Sequence, residues 1–411
     1  MFFWIKKNFQ AWFKKDVYLD YASTTPIDLE VLFVMNQVYK KTYGNPGAMY
    51  PLAMQTKNYI SAARKKIATL IGATSDQIIF TRGGTESNNI AILGVLHHFK
   101  ENYPNIVPHI ITSNIEHDSV LELCRHLGNT QQAKITYIPC NEEGIIDVSL
   151  IKKELRPETI LVTVMYANNE IGTIQPIREI TKLIRWYKKQ LKEKELAIIS
   201  NQYPLVHTDA IQAVNYCDDN ISRLGVDLMT VSGSKIYGPK STGMLFVKHK
   251  QLLSPILFGG GQESGLRSGT EDVAAIAGFV KAYEIAQAKR ETEVLRLLVL
   301  RTFLMDYLLT NEDVVVNGSL TDRLPNNINV TVKNYSGEEL VIQLATKGFA
   351  VSSKSACQSS SDEKSHVITA LRTAQKRHTK STEGSLRITL GRFTTRKDIQ
   401  KFISAFQKIA K

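Results

Sequence analysis

The chain predicts an α/β protein with a large, mostly parallel sheet covered by helices, followed by a smaller α+β domain. Three observations carry this. Short β-branched runs alternate with helical patterns from about residue 77 to residue 247; a glycine-rich stretch and a long charged helix then break the alternation; a few short strands and amphipathic helices follow. A length of 411 residues allows two or three structural units. With 43% hydrophobic and 22% charged side chains, the composition is neither disordered nor collagen-like. The four cysteines, Cys124, Cys140, Cys217 and Cys357, contain no CxxC pair. That spacing speaks against a closed zinc site or a secreted disulfide framework, and suits a reducing, cytoplasmic setting.

In chain order, Val17–Asp20 reads as a short strand, and a helical stretch over residues 29–39 leads into a Gly/Pro-rich loop at 43–51. Residues 53–70 are helical, 77–81 form a strand and 87–99 another helix. Strands follow at 108–112, 134–138, 159–165, 205–208, 228–231 and 243–247, each short, apolar and flanked by turn residues. After the glycine-rich 258–269, a helix over 273–310 bridges to strands at 314–316 and 327–332 and a helix at 337–347. A Ser-rich loop, a strand at 385–390 and an amphipathic helix end the chain. The expected division is an extension at 1–15, a segment at 16–28 associated with the small domain, a large domain at 29–275 and a small one at 276–411. The Ser-rich loop, at about 351–366, belongs to the small domain.

The formal charge of +12 is unevenly placed. Residues 1–15 hold four lysines and no acid, and residues 371–411 hold eleven Lys/Arg against two Asp/Glu, which leaves about −1 between them. The excess at the ends does not describe the middle, and no nucleic-acid-binding fold is recognisable, so no direct DNA binding is expected. Phe2, Ile5, Phe9, Trp12 and Phe13 fall at helical spacing among the lysines. Such a segment either docks on its own domain or lies on a membrane or partner surface.

The informative polar residues follow the predicted strands, where chemistry gathers in such sheets. Gly83-Gly84-Thr85 lies between a strand and a helix, and reads either as an ordinary turn or as a phosphate cradle at a helix start. Asp209, Lys235 and His117 follow three other strands. An acid for a protonated ring nitrogen, an amine able to form a Schiff base and a ring able to stack are the tools of a pyridoxal-phosphate site. Taken singly, Asp209 also reads as a helix cap and His117 as a surface residue. Cys357 lies in Ser352-Ser353-Lys354-Ser355-Ala356-Cys357-Gln358-Ser359-Ser360-Ser361, too hydrophilic for a core. A thiol there suits a nucleophile that accepts a group and carries it elsewhere.

Val17-Tyr18-Leu19-Asp20-Tyr21-Ala22-Ser23-Thr24-Thr25-Pro26, Asn168-Asn169-Glu170-Ile171-Gly172, Lys235-Ile236-Tyr237-Gly238-Pro239-Lys240, Arg267-Ser268-Gly269-Thr270 and Leu390-Gly391-Arg392-Phe393-Thr394-Thr395 occur in this order. With them the chain resembles the cysteine desulfurases, pyridoxal 5'-phosphate enzymes of aminotransferase class V. The Ser-Ser-x-Ser-Ala-Cys context is similar to their housekeeping, long-loop branch. The resemblance implies the type I, aspartate-aminotransferase-like fold and an obligate homodimer. It implies removal of sulfur from L-cysteine, giving alanine and a persulfide on Cys357. That sulfur would pass to an iron–sulfur scaffold protein, to tRNA thiolation or to other acceptors.

By the same resemblance Lys235 binds the cofactor covalently, Asp209 faces its ring nitrogen, Gln212 its phenolic oxygen, and His117 stacks on it and exchanges protons. Gly84, Thr85, Ser232 and Ser234 belong to the phosphate site, with Thr270 reaching it from the second subunit. Asn168 and Arg387 bind the substrate carboxylate, with Asn45 near it; Asn168 also touches the cofactor. No metal is implied.

Departures accompany these matches. Ser234 stands where histidine is usual, which predicts looser cofactor binding, since a hydroxyl has a shorter reach and no charge. Gln262 and Ser264 replace His and Arg, Asn88 replaces aspartate, and Lys354 stands where glycine is common. The competing readings are a selenocysteine lyase-like enzyme and a weakly catalytic platform that docks sulfur-transfer partners.

Overall fold

A computed structural model describes residues 16–193, 199, 202–353, 365–376 and 384–409. The extension at 1–15, Lys354 and Cys357 therefore lie outside the described residues.

The described chain starts with a two-residue strand, β1 (Val17–Tyr18), and helix α1 (Leu29–Lys41), capped by the Asp28 carboxylate. Helix α2 (Pro51–Ile71) opens on proline and ends at Gly72, whose φ of 73° is the left-handed stop that glycine tolerates. Then come β2 (Ile78–Thr81), α3 (Gly84–Asn102), β3 (His109–Ser113), α4 (Asp118–Asn129) and β4 (Lys134–Ile138). They are followed by α5 (Val148–Glu154), β5 (Thr159–Thr163), α6 (Ile177–Glu193), β6 (Leu205–Asp209), α7 (Ile221–Leu224), β7 (Leu228–Ser232) and β8 (Gly243–Val247).

The seven strands from β2 to β8 form one sheet in the order β2-β8-β7-β6-β5-β3-β4. It is parallel except for β8, which runs against both β7 and β2. The exception follows from the connection: residues 233–242 hold only a short turn, and a parallel return needs a crossover of a dozen residues or more.

Successive strand residues point to opposite faces, and both faces are covered. Ile111, Val162, Val206, Met229 and Phe246 join a core with α1, α2 and the first half of a long helix, while Ile110, Leu161, Leu205, Leu228 and Leu245 pack with α3 and α4. Helix α3 starts three residues earlier than the sequence pattern predicts. Gly83, with φ 124°, turns the chain directly into the helix and places Gly84 and Thr85 in its first turn.

The long helix, α8 (Val273–Leu308), gives Val273 to Ala286 to that first core and Leu297 to Leu308 to another. The latter core also takes β9 (Val314–Val316), β10 (Asn327–Val332), α9 (Gly337–Ala345), β11 (Phe349–Ala350), β12 (Ser385–Thr389) and α11 (Arg396–Phe406). Between β11 and β12 lies α10 (His366–Ala374), which packs on the first core. Strands β12, β10 and β9 form an antiparallel sheet, and β1 pairs in parallel with β11, a strand too short to read from the sequence. Among the described residues no helix is long and apolar enough to cross a membrane.

Candidate active site

Strands β6 and β7 are adjacent and parallel, so Asp209 and Ser232 leave the sheet at the same edge. Asp209 is buried; it accepts from Asn88 Nδ2 at 2.8 Å and from the Ile211 N–H at 3.0 Å. Burial pushes its carboxyl pKa up, while His117, Asn88, Ile211 and Lys235 pull it back toward the ionised form. His117 caps α4, and its Nδ1 accepts the Ser119 N–H at 3.1 Å. Lys235 ends a single 3₁₀ turn, Gly233–Lys235, and its ammonium donates to the Ser23 carbonyl. Asn215 Nδ2 holds the Lys235 carbonyl at 2.7 Å.

Beside this cluster lies an anion seat. A Cβ on Gly84 would stand 2.1 Å from Ile211 Cδ1, so any larger residue here would have to push that side chain aside as α3 starts beside the Asp209 strand end. The Gly84 turn also lies near Ser232, whose side-chain Oγ is 3.1 Å from Ser234 Oγ. The first turn of α3 has N–H groups without intrahelical acceptors, and Thr85 is exposed on that turn. Amine, buried acid, capping imidazole and glycine cradle together fit a phosphorylated aromatic aldehyde. Among the described residues no His/Cys/Asp/Glu group could hold a metal.

Arg387, in the middle of β12, is 1% exposed. Its Nη1 donates to the Asn169 carbonyl at 3.0 Å, and its Nη2 to Asp20 Oδ1 at 2.8 Å and Ser23 Oγ at 2.6 Å. Its Nε has no acceptor among the described residues. The turn at 20–25 is thus shared by several functional side chains: Arg387 grips Asp20 and Ser23, Gln212 Nε2 donates to the Ala22 carbonyl at 2.9 Å, Lys235 reaches Ser23, and Thr25 bonds the Ser234 carbonyl. The segment at 16–28, read from sequence as associated with the small domain, bonds both to β12 and to the turns that follow β6 and β7.

The Ser-rich loop is tied to the same place at both ends. Ser352 exchanges backbone hydrogen bonds with Arg387. Ser365 Oγ donates to the buried Glu170 carboxylate at 2.6 Å, and His366 Nε2 to the Glu116 carbonyl at 2.9 Å.

Other predicted residues are placed differently. Asn168 is fully buried with its amide spent inside the protein: Nδ2 donates to the Ile115 carbonyl, and Oδ1 accepts the Glu170 and Ile171 N–H groups. It shapes the turn whose next carbonyl, on Asn169, meets Arg387. Asn45 is exposed and caps its own turn through Gly47. Thr270 is exposed too, beside a small pocket lined by Phe80, Arg82, Glu263 and Asp272. Within one chain, neither shows a contact with the cluster.

Sequence reasoning missed Asp20, Ser23, Glu116 and Ser119. The signal was present for the first two, since they lie inside the Val17–Pro26 motif, but nothing local pairs them with an arginine 367 and 364 residues away.

Glu116 is fully buried. Its Oε1 accepts from Ser113 Oγ and the Met165 N–H, and its Oε2 has no partner among the described residues. Burial pushes its pKa up to about 8. Between the ordinary carboxyl pKa and 8 the folded protein therefore keeps a proton that the unfolded chain has released, and stability falls as pH rises through that window. E116Q removes this slope. In urea unfolding from about pH 5 to about pH 9, its stability relative to wild type should grow by on the order of a few kcal/mol. Parallel curves for the two proteins would refute the assignment. The thiols of Cys124, Cys140 and Cys217 are pushed up by burial to about 12, 11 and 12, so none of them supplies a thiolate at neutral pH.

Comparison with known proteins places this geometry in a family. The family model for aminotransferase class-V matches residues 17–402. A cysteine desulfurase IscS of Dictyoglomus turgidum is 42% identical, covering 96% of this chain and 95% of its own. A solved NifS-like protein superposes with a TM-score of 0.83 at 31% identity, covering 96% of this chain and 99% of its own. A structure described as SspA in complex with cysteine gives 0.74 at 31% identity, with 92% and 99% covered. The fold is the aspartate-aminotransferase-like type I fold, a large mixed α/β domain beside a smaller α+β one. By its sequence matches, its sheet order and the strand-end cluster, the chain belongs to the class-V aminotransferase family, among the cysteine desulfurases.

Proposed function

We propose that the chain removes sulfur from L-cysteine with pyridoxal 5'-phosphate, releasing L-alanine and leaving a persulfide on Cys357. The observation that carries this is the meeting of Lys235, Asp209, His117 and the Gly84 cradle at one sheet edge, next to a buried arginine. The cofactor, when bound, supplies an electron sink for the substrate's α-carbon. Lys235 supplies the amine that holds it and moves the α-proton. When the cofactor is bound, Asp209 would face its ring nitrogen and Gln212 its phenolic oxygen, while Gly84, Thr85, Ser232 and Ser234 would seat its phosphate.

Arg387 takes the substrate carboxylate, with Asn168 supporting the turn beside it. Cys357 Sγ attacks the substrate sulfur. The Cβ–S bond breaks, an S–S bond forms, and the carbon takes a proton to become the alanine methyl. His117 offers a hydrogen bond from Nε2 here, because its Nδ1 already accepts a backbone N–H and a neutral ring then carries hydrogen on Nε2; to give a proton to the carbon it must first gain a second one.

The large domain at 29–275 carries the cofactor and the small one, 276–411, the cysteine loop. The working form is a homodimer. Tyr43, Met49 and Phe258 are 74%, 95% and 84% exposed, and Thr270 is exposed beyond Phe258, as a residue completing a second copy's phosphate site needs to be. The sulfur acceptors are an iron–sulfur scaffold protein and the tRNA-thiolation route, in the cytoplasm.

Purified protein loaded with pyridoxal phosphate and given L-cysteine should yield alanine, with one persulfide per chain when no reductant is present. Cofactor-loaded protein that forms no alanine would overturn the proposal.

A further inference from the structure

Two side chains with no assigned role, the buried Asn88 and the half-buried Ser119, join the acid to the imidazole. Asn88, on α3, is fully buried, and its Nδ2 donates both to Asp209 Oδ2 at 2.8 Å and to Ser119 Oγ at 2.8 Å. Only the amide nitrogen can face a carboxylate, so the orientation is fixed even though Asn88 Oδ1 finds no partner among the described residues. Ser119 Oγ, having accepted that hydrogen, keeps its own for His117 Nδ1 at 2.9 Å, which also accepts the Ser119 N–H at 3.1 Å. The connection runs Asp209–Asn88–Ser119–His117 and crosses three elements.

We propose that Asn88 and Ser119 are positioning residues that hold Asp209 as a carboxylate and His117 as the Nε2–H tautomer, setting both protonation states before cofactor or substrate arrives. This rests on the pyridoxal-phosphate reading of the site only for its consequences in turnover; the relay itself is a property of the cofactor-free protein.

The charges facing Asp209 are His117 from the start of α4 and Lys235 from the turn after β7, with Glu116 also within electrostatic reach. Asn88 is the uncharged donor among them. A leucine of similar size would leave Asp209 Oδ2 without that donor, and burial would then favour the protonated acid. A protonated Asp209 no longer offers a carboxylate to a protonated ring nitrogen.

The test uses N88L, which keeps the side chain's size but not its donor, and S119A. In cofactor-free protein with ¹⁵N-labelled histidine, wild-type His117 should show a bare Nδ1 and a protonated Nε2. S119A should take up its second imidazole proton at higher pH than wild type, because one of the two hydrogens aimed at Nδ1 is gone. In cofactor-loaded N88L, the acid limb of kcat/KM for alanine formation should move up by about one pH unit, because Asp209 has lost a donor to its ionised form. The visible band of the bound cofactor should titrate with it.

A protonated Nδ1 in wild type, or an N88L profile that overlays wild type, overturns the relay. Wild type that binds no pyridoxal phosphate overturns the cofactor reading instead, and the histidine spectra still decide the relay. Thermal melts matching wild type confirm that each variant is folded.

Discussion

K235A is expected to lower alanine formation by about 10²–10⁴-fold, the size of a lost acid–base group, with further loss from the missing covalent bond to the cofactor. The protein should still take up pyridoxal phosphate, because the cradle at Gly84, the Ser232–Ser234 hydroxyls and Asp209 remain. Borohydride should no longer fix the cofactor to the chain. Removing the amine also frees the Ser23 carbonyl, and Ser23 Oγ is the group that Arg387 holds at 2.6 Å. A rise in KM for L-cysteine should therefore accompany the fall in kcat. A K235A protein that borohydride still labels would move the cofactor's attachment to another lysine.

C357A should separate the two halves of the reaction. The three described thiols have pKa values pushed to 11 or above, so no other described cysteine can take over the attack. The variant should bind L-cysteine and perturb the cofactor's absorption as wild type does, yet form no protein persulfide. Sulfur delivery to any acceptor should fall to background, a loss of at least about a hundredfold. Persulfide at wild-type level in C357A, located by mass spectrometry, would reassign the acceptor thiol.

Much of the scaffold was legible because it obeys simple periodicities. Every strand of the large sheet was visible as a short apolar run, and Asp209, Lys235 and Gly84 were visible as polar or small residues at run ends. The direction of β8 was not, since a run of Gly-Met-Leu-Phe-Val looks the same in either orientation and only the short preceding turn decides. Arg387 drew its role from a motif, but its partners Asp20 and Ser23 were hidden by sequence distance. Asn88 and Ser119 were hidden for a different reason. Each is an ordinary helix residue whose importance exists only when α3 and α4 lie side by side, 2.8 Å apart at those side chains.

The turn at 20–25 has a consequence for how the protein is made. It leaves the ribosome long before β12, yet Asp20 and Ala22 find their partners on that strand, Arg387 and Thr389, each 367 residues downstream. The entire large sheet can be synthesised while this turn lacks half of its contacts. Lys235 and Gln212 then have no fixed carbonyls to lean on, and a nascent chain stopped before residue 385 carries the cofactor lysine without a finished site. Competence to react is therefore conferred only once β12 has been made, and a fragment ending before β12 should fold its large sheet yet remain inert.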